Sequence, residues 1–420
     1  MTAAKKIPVE KGLDNSLALM KEGFYFIPNR MKKFNTNIFR TRLLGGQKVI
    51  CISGAGAGEI FYDNTLFKRE GVAPNRIKES LFGQGGVQGL DGAAHRHRKA
   101  LFMSQMTPDN IKEIRQIAGK QWEIAIEDWQ NKDRIELLYE AEKIFCITAC
   151  QWAGVPLKAK NVMTRTKDLA AMIDAFGAIG PRHWEGRMAR NRAEKWIEDI
   201  IGKVRSNEMK VEEDKPLHAV AWHRDLNHTL LDVKTAAVEV LNLLRPIVAI
   251  GRYVMFGALA MHDFPETREK LKNDKRETYS QMFTQEVRRY YPFGPFLGAI
   301  AKKDFEWQGF PIKEDTLVLL DVHGINHSSD LWENPNTFWP ERFHEWDGSP
   351  FNFVPQGGGD YHDGHRCAGE WITIELMKVS LEFLAKRISY DVPEQDFSYS
   401  ISRMPTMPKS RFIMENVRWR

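Results

Sequence analysis

The residues most able to do chemistry lie in Phe353-Val354-Pro355-Gln356-Gly357-Gly358-Gly359-Asp360-Tyr361-His362-Asp363-Gly364-His365-Arg366-Cys367-Ala368-Gly369-Glu370, directly before an amphipathic helical pattern. A cysteine in that setting suits a thiolate bound to haem iron. Glycines let the backbone pass close beneath a flat macrocycle and aim N–H groups at the sulfur, and the following helix turns its positive end toward the anion. Thiolate ligation pushes electron density onto iron and favours O–O cleavage. A single cysteine is equally compatible with an inert, buried thiol, so the loop gains meaning only beside other residues. Glu286-Val287-Arg288-Arg289 lies in a helical pattern before Pro292, and Pro340-Glu341-Arg342-Phe343 precedes the cysteine loop. A carboxylate and a guanidinium at i and i+3 share a helix face, and another arginine can join them in a charge-assisted network. Each stretch alone would read as an exposed ion pair, which contributes little.

A second concentration of chemistry interrupts Asp232–Met261, a long and mostly apolar helical pattern with Leu244-Arg245-Pro246 near its middle. Proline inside a helix costs about 3 kcal/mol and an unpaired buried arginine several more. Arg245 facing solvent or an internal partner, with Pro246 kinking the helix, is one reading. An arginine held for an anion is the other. Its planar donor fork matches a carboxylate, and its high proton affinity makes it a poor proton relay.

The elements that must position these residues read as mainly α with small β-sheets. Gly45-Gly46 separates Asn37–Leu43 from Gln47–Ser53 as a hairpin, and short strands are expected near Pro295–Ala301, Thr316–Leu320 and the C-terminus. Thr107-Pro108 opens a helix as N-cap and first helical residue. Long helical patterns also cover Leu137–Ala153, Ala189–Val204, Asp232–Met261 and Trp371–Ala385. The hydrophobic content of 43% is spread evenly, and no Pro/Gly/Ser-rich linker divides the 420 residues. One domain over residues 1–420 is expected: a β-richer part over about 1–90, a helical core over about 91–290, and a final part over about 277–420 that carries the cysteine loop.

A net charge of +5, with no basic run interleaved with aromatics, argues against nucleic acid as a partner. Cys51, Cys146, Cys150 and Cys367 have neither zinc-ligand nor disulfide-framework spacing, as expected of a cytoplasmic chain. No run of about eighteen apolar residues is present, and Met1–Pro8 lacks an apolar stretch, so no membrane span is expected.

Taken together, these motifs resemble those of the cytochrome P-450 superfamily, with Glu286 and Arg289 matching its ExxR helix, Arg342 the third network member and Cys367 the axial ligand. The resemblance covers nearly the whole chain and implies a triangular helical prism enclosing haem b (iron protoporphyrin IX). The Gln-Gly-Gly-Gly-Asp stretch followed by Gly-His-Arg-Cys, with His365 where arginine is usual, resembles the bacterial fatty-acid peroxygenases. That branch implies hydroxylation of long-chain fatty acids at the α or β carbon by hydrogen peroxide, with no obligatory redox partner and minor decarboxylation to a terminal alkene.

By the same resemblance, Arg245 and Pro246 stand where mono-oxygenases place an acid or amide and then a threonine, and Arg245 anchors the substrate carboxylate. That carboxylate would move a proton between the two peroxide oxygens, a general acid–base role typically contributing ~10²–10⁴-fold. Gln88 would sit near the reactive end, where alkene-forming relatives have histidine. Leu81, Phe82, Ile173, Phe176, Phe293 and Phe296 would wall the pocket. Arg69, His95, Lys99 and Tyr361 would contact the haem propionates, and His365 and Arg366 would help fix the loop. Taken singly, Gln88 reads as an ordinary loop amide and the apolar residues as core. A mono-oxygenase fed by redox partners and a non-catalytic haem sensor or fatty-acid-binding protein are the competing readings.

Overall fold

The structure, a computed structural model, describes residues 5–420. Helices dominate it. Thr107 caps Pro108–Trp129 by accepting the Asn110 N–H at 3.3 Å, and Asp232 caps Val233–Asp263 by accepting the Thr235 N–H at 2.9 Å. The latter helix continues through Pro246 and is buried along nearly its whole length, packed against Leu137–Ala153, Pro181–Arg205 and Glu370–Glu382. By length and composition it could cross a membrane, yet 94% of its most apolar window lies inside the protein, so core burial accounts for its sequence.

The expected hairpin forms as Ile38–Leu43 against Gln47–Ile52, with Gly45 and Gly46 at φ 85° and 92° making the turn. Gln47–Ile52 runs parallel to Leu317–Asp321, which pairs antiparallel with Phe296–Ala301, and Phe67–Lys68 closes the five-stranded sheet. The C-terminal strand Ile413–Trp419 lies between Arg134–Glu136 and Ile388–Asp391. The region before residue 90 also contains helices Ser16–Glu22 and Phe26–Phe34.

Sequence periodicity places one helix start too late. The pattern begins at Ala189, but the helix begins at Pro181, because Trp184 and Met188 on its first turns are exposed and interrupt the apolar stripe. At the other end of the core, Glu370–Glu382 loosens into a wider turn over Phe383–Arg387.

Asp321 joins the sheet to the wall of the cavity described below. Its carboxylate accepts the Gly324 N–H at 2.8 Å and the Ser53 hydroxyl at 3.1 Å, capping the short helix Val322–Asn326. Burial pushes its pKa up from 3.8 to about 7. The folded chain therefore keeps this proton where the unfolded chain has lost it, and stability should fall as pH rises across that interval. Asp321→Asn is expected to flatten the dependence in melts taken from pH 4 to pH 8; an unchanged slope would show that Asp321 does not cause it.

Candidate functional site

Between the helix Val233–Asp263 and the 355–369 loop lies a cavity of about 500 Å³. Cys367 faces it from the loop side and Arg245 from the helix side.

The loop is tied to its surroundings around the sulfur. The Cys367 N–H donates to the Gln356 carbonyl at 3.1 Å, and Gln356 Nε2 lies 3.7 Å from Cys367 Sγ and donates to Thr373 Oγ1 at 3.1 Å. Arg288 donates to Gln356 Oε1 at 3.1 Å and to Glu370 at 2.5 Å, and Arg366 pairs with the second Glu370 oxygen at 2.6 Å. Burial and then the Glu370 carboxylate push the Cys367 thiol up, against the Gly369 N–H and the charges of Lys99 and Arg288. Coordination to a metal cation would remove that proton outright. The loop thus offers one sulfur ligand, in a hydrogen-bonded frame that can tune its donor strength.

The cavity walls fit a planar dianion. Arg69 is 8% exposed; its Nη2 donates to the Phe61 carbonyl at 3.0 Å, while Nη1 is buried without a partner among the described residues. Arg69 lines the cavity, and an orphaned guanidinium N–H there matches a carboxylate such as a haem propionate. A Cβ added at Gly369, beside the cysteine, would meet nothing within 4 Å, so the loop leaves open space there. His95 also lines the cavity, stacked on His365 at 3.8 Å between ring centroids. Burial, with the neighbouring His365 and Lys99 charges, holds the His95 pKa down at about 3. His365 lies 3.4 Å from Asp91.

Lys99 and Tyr361 each make a bond to the backbone of the cysteine loop. Lys99 reaches the cavity but donates to the Arg366 carbonyl. Tyr361 is not among the cavity-lining residues; its hydroxyl donates to the Ala368 carbonyl at 2.7 Å, bracing the loop from behind.

On the opposite wall, Arg245 is 8% exposed and its Nη2 donates to Asn242 Oδ1 at 3.4 Å. Its Nε has no partner, and no acidic side chain lies within ion-pair distance of it among the described residues. Burial, and then the Arg190 charge, push its pKa down to about 9, with the Cys367 site opposing. It remains a cation at neutral pH. Pro246 follows it in the unbroken helix and also lines the cavity. Leu81, Phe82, Gln88, Ile173, Phe176, Phe293 and Phe296 all reach the same cavity, and the Phe82 ring centroid is 5.9 Å from the Arg245 guanidinium carbon.

The Glu286 network lies outside the cavity. Arg289 makes two bonds to Glu286 at 2.7 and 2.8 Å, Arg342 approaches at 3.2 Å, and the Trp339 N–H donates at 2.8 Å. Sequence reasoning missed Gln356, Asn242 and Glu239. It also missed the role of Glu370, which pairs with Arg366 four residues before it.

The fold and sequence are similar to those of known proteins. The cytochrome P-450 family profile matches residues 269–414. A crystal structure of a cytochrome P-450 OleT variant in complex with arachidonic acid superposes with a TM-score of 0.96 at 39% identity, covering 99% of both chains. Cytochrome P-450EX alpha (CYP152N1) with myristic acid gives a TM-score of 0.95 at 43% identity, covering 99% of this chain and 100% of the other. Among curated sequences, cytochrome P-450 26A1 of Danio rerio is 22% identical over 421 residues, covering 90% of this chain and 83% of that protein.

Proposed function

This chain belongs to the cytochrome P-450 superfamily, in its CYP152 branch, and from that premise we propose that it is a cytoplasmic, single-domain haem-thiolate peroxygenase that hydroxylates long-chain fatty acids with hydrogen peroxide. The observation that carries the reading is Arg245, a buried cation without a carboxylate partner among the described residues, lining the same cavity as Cys367.

Haem b, held by Cys367 and flanked by Arg69, His95 and Lys99, would supply the oxidising chemistry that peroxide feeds. The protein's own part is positioning. Arg245 holds the fatty-acid carboxylate at the helix wall, and the aromatic and branched side chains around it take the alkyl chain, whose burial contributes about 0.8 kcal/mol per methylene. The clamped carboxylate accepts a proton from one peroxide oxygen and returns it to the other, so the substrate supplies the general acid–base group that Arg245 cannot. Clamping the head group also brings Cα and Cβ, rather than the methyl end, to the reacting face. Gln88 offers hydrogen bonds but no titratable ring, which favours hydroxylation over alkene formation.

The test is a mixture of purified haem-loaded protein, a saturated fatty acid and hydrogen peroxide, without reductant or redox partner. Mass spectrometry should find α- or β-hydroxy acid with at most a minor terminal alkene. No product under those conditions, with turnover restored by a reductase and ferredoxin, would replace this reading with a partner-dependent mono-oxygenase.

A further inference from the structure

Glu239, Asn242 and Arg245 stand three residues apart along one face of the long helix and form a hydrogen-bonded file. Glu239 is fully buried. One carboxylate oxygen accepts from Arg98 Nη1 at 2.6 Å and the other from Asn242 Nδ2 at 2.9 Å, with the Val87 N–H as a further donor. Asn242 Nδ2 also donates to Gln88 Oε1 at 3.3 Å. An amide's oxygen and nitrogen have nearly the same outline, so its partners decide its orientation. Here both N–H groups of Asn242 meet acceptors, and only Oδ1 is left for Arg245, whose Nη2 it faces at 3.4 Å.

We propose that Glu239 and Asn242 are positioning residues for Arg245: the Glu239 carboxylate fixes which end of the Asn242 amide meets the guanidinium, and that oxygen aims the remaining donors at the substrate carboxylate. The inference rests on Arg245 being the carboxylate anchor. Two-point recognition needs a planar fork held at one angle, and a long side chain in an apolar cavity has few other groups to hold it. Arg98, on the helix Gly92–Met103, balances the buried Glu239 charge, so the file is anchored outside the cavity. The same bonds commit the Gln88 carbonyl to Asn242 and leave the Gln88 NH₂ as the donor available to the cavity.

Glu239→Gln tests the file with little change of shape. The single remaining oxygen should go to Arg98, because a bond to a cation is the stronger one. The new NH₂ then faces Asn242, whose amide must turn over and present its own NH₂ to Arg245. The dissociation constant for a long-chain fatty acid, read from the optical shift of the haem during titration, should rise about ten-fold. Asn242→Ala should weaken binding to a similar degree, and KM in the peroxide assay should rise with the dissociation constant. Haem content and imidazole affinity should stay at wild-type values in both, which general damage to the fold would not allow. In an Arg245→Leu background Glu239→Gln should add nothing.

Wild-type fatty-acid affinity in folded, haem-loaded Glu239→Gln and Asn242→Ala, alongside weakened Arg245→Leu, would overturn the positioning role and leave the anchor standing. An equal further loss on adding Glu239→Gln to Arg245→Leu would overturn it too. Unchanged affinity in Arg245→Leu would overturn the anchor itself, and this inference with it. Should Glu239→Gln fail to fold, Asn242→Ala decides alone, since it leaves the Arg98–Glu239 pair intact.

Discussion

Arg245→Leu is expected to lower peroxide-driven fatty-acid turnover, as kcat/KM, by about 10³-fold or more while haem stays bound. Two losses combine in that figure. Removing one partner of a buried, hydrogen-bonded charge pair typically costs about 2–5 kcal/mol of binding. A carboxylate no longer fixed in place also loses its general acid–base contribution, typically ~10²–10⁴-fold. The fold should not suffer. Arg245 is buried with an unpartnered Nε and only a 3.4 Å bond to Asn242, so its charge is an uncompensated burden when no substrate is present. Leucine removes that burden, and the melting temperature should stay level or rise, as happens when a strained functional group is replaced. Arg245→Lys separates charge from geometry: it keeps the cation without the planar fork and should fall between the two. Product analysis, the haem spectrum and thermal melts check the three parts. Wild-type turnover in Arg245→Leu would reject the anchor.

Arg245 also shows how far the sequence could be read. A cation in the middle of an apolar helix violates burial rules, but only beside the cysteine motif did an anion-holding role for Arg245 become the stronger reading. Cys367 likewise became legible through its company, Glu286-Val287-Arg288-Arg289 and Arg342, because its glycine-rich loop alone also fits an inert thiol. What remained illegible were residues whose role depends on partners far away in the chain. Asn242 reads as an ordinary polar helix residue until Gln88, 154 residues earlier, supplies its acceptor. Gln356 is one more loop amide until Arg288 reaches it from the helix Thr278–Tyr290. Tyr361 entered only through the family resemblance, as a propionate contact, and its hydroxyl donates to the Ala368 carbonyl within its own loop. For the fold, capping residues and glycine turns located Pro108–Trp129 and the first hairpin, whereas the exposed apolar start of Pro181–Arg205 defeated a periodicity argument.

Glu286→Ala should have the largest effect on the folded state, and the effect should reach the cysteine loop. Glu286, Arg289 and Arg342 are almost wholly buried, at 0%, 0% and 4% side-chain exposure, and the Glu286 carboxylate is the acceptor for both guanidinium groups and for the Trp339 N–H. Breaking a buried pair by removing one partner costs about 3–5 kcal/mol, because the other charge is left uncompensated. Here one substitution strands two arginines, against a total stability of about 5–15 kcal/mol for a typical protein. Arg289 also donates to the carbonyls of Asn326 and Pro335, so its displacement would loosen the segment that leads to Arg342. The same helix carries Arg288, which grips Gln356 and Glu370 around Cys367. Haem retention and stability should therefore fall together. Glu286→Gln, which keeps an acceptor and the shape but loses the charge, should lie between Glu286→Ala and wild type. Haem per chain and the urea midpoint measure the two effects. A Glu286→Ala protein with full haem content and an unshifted midpoint would show that the network holds neither the fold nor the loop.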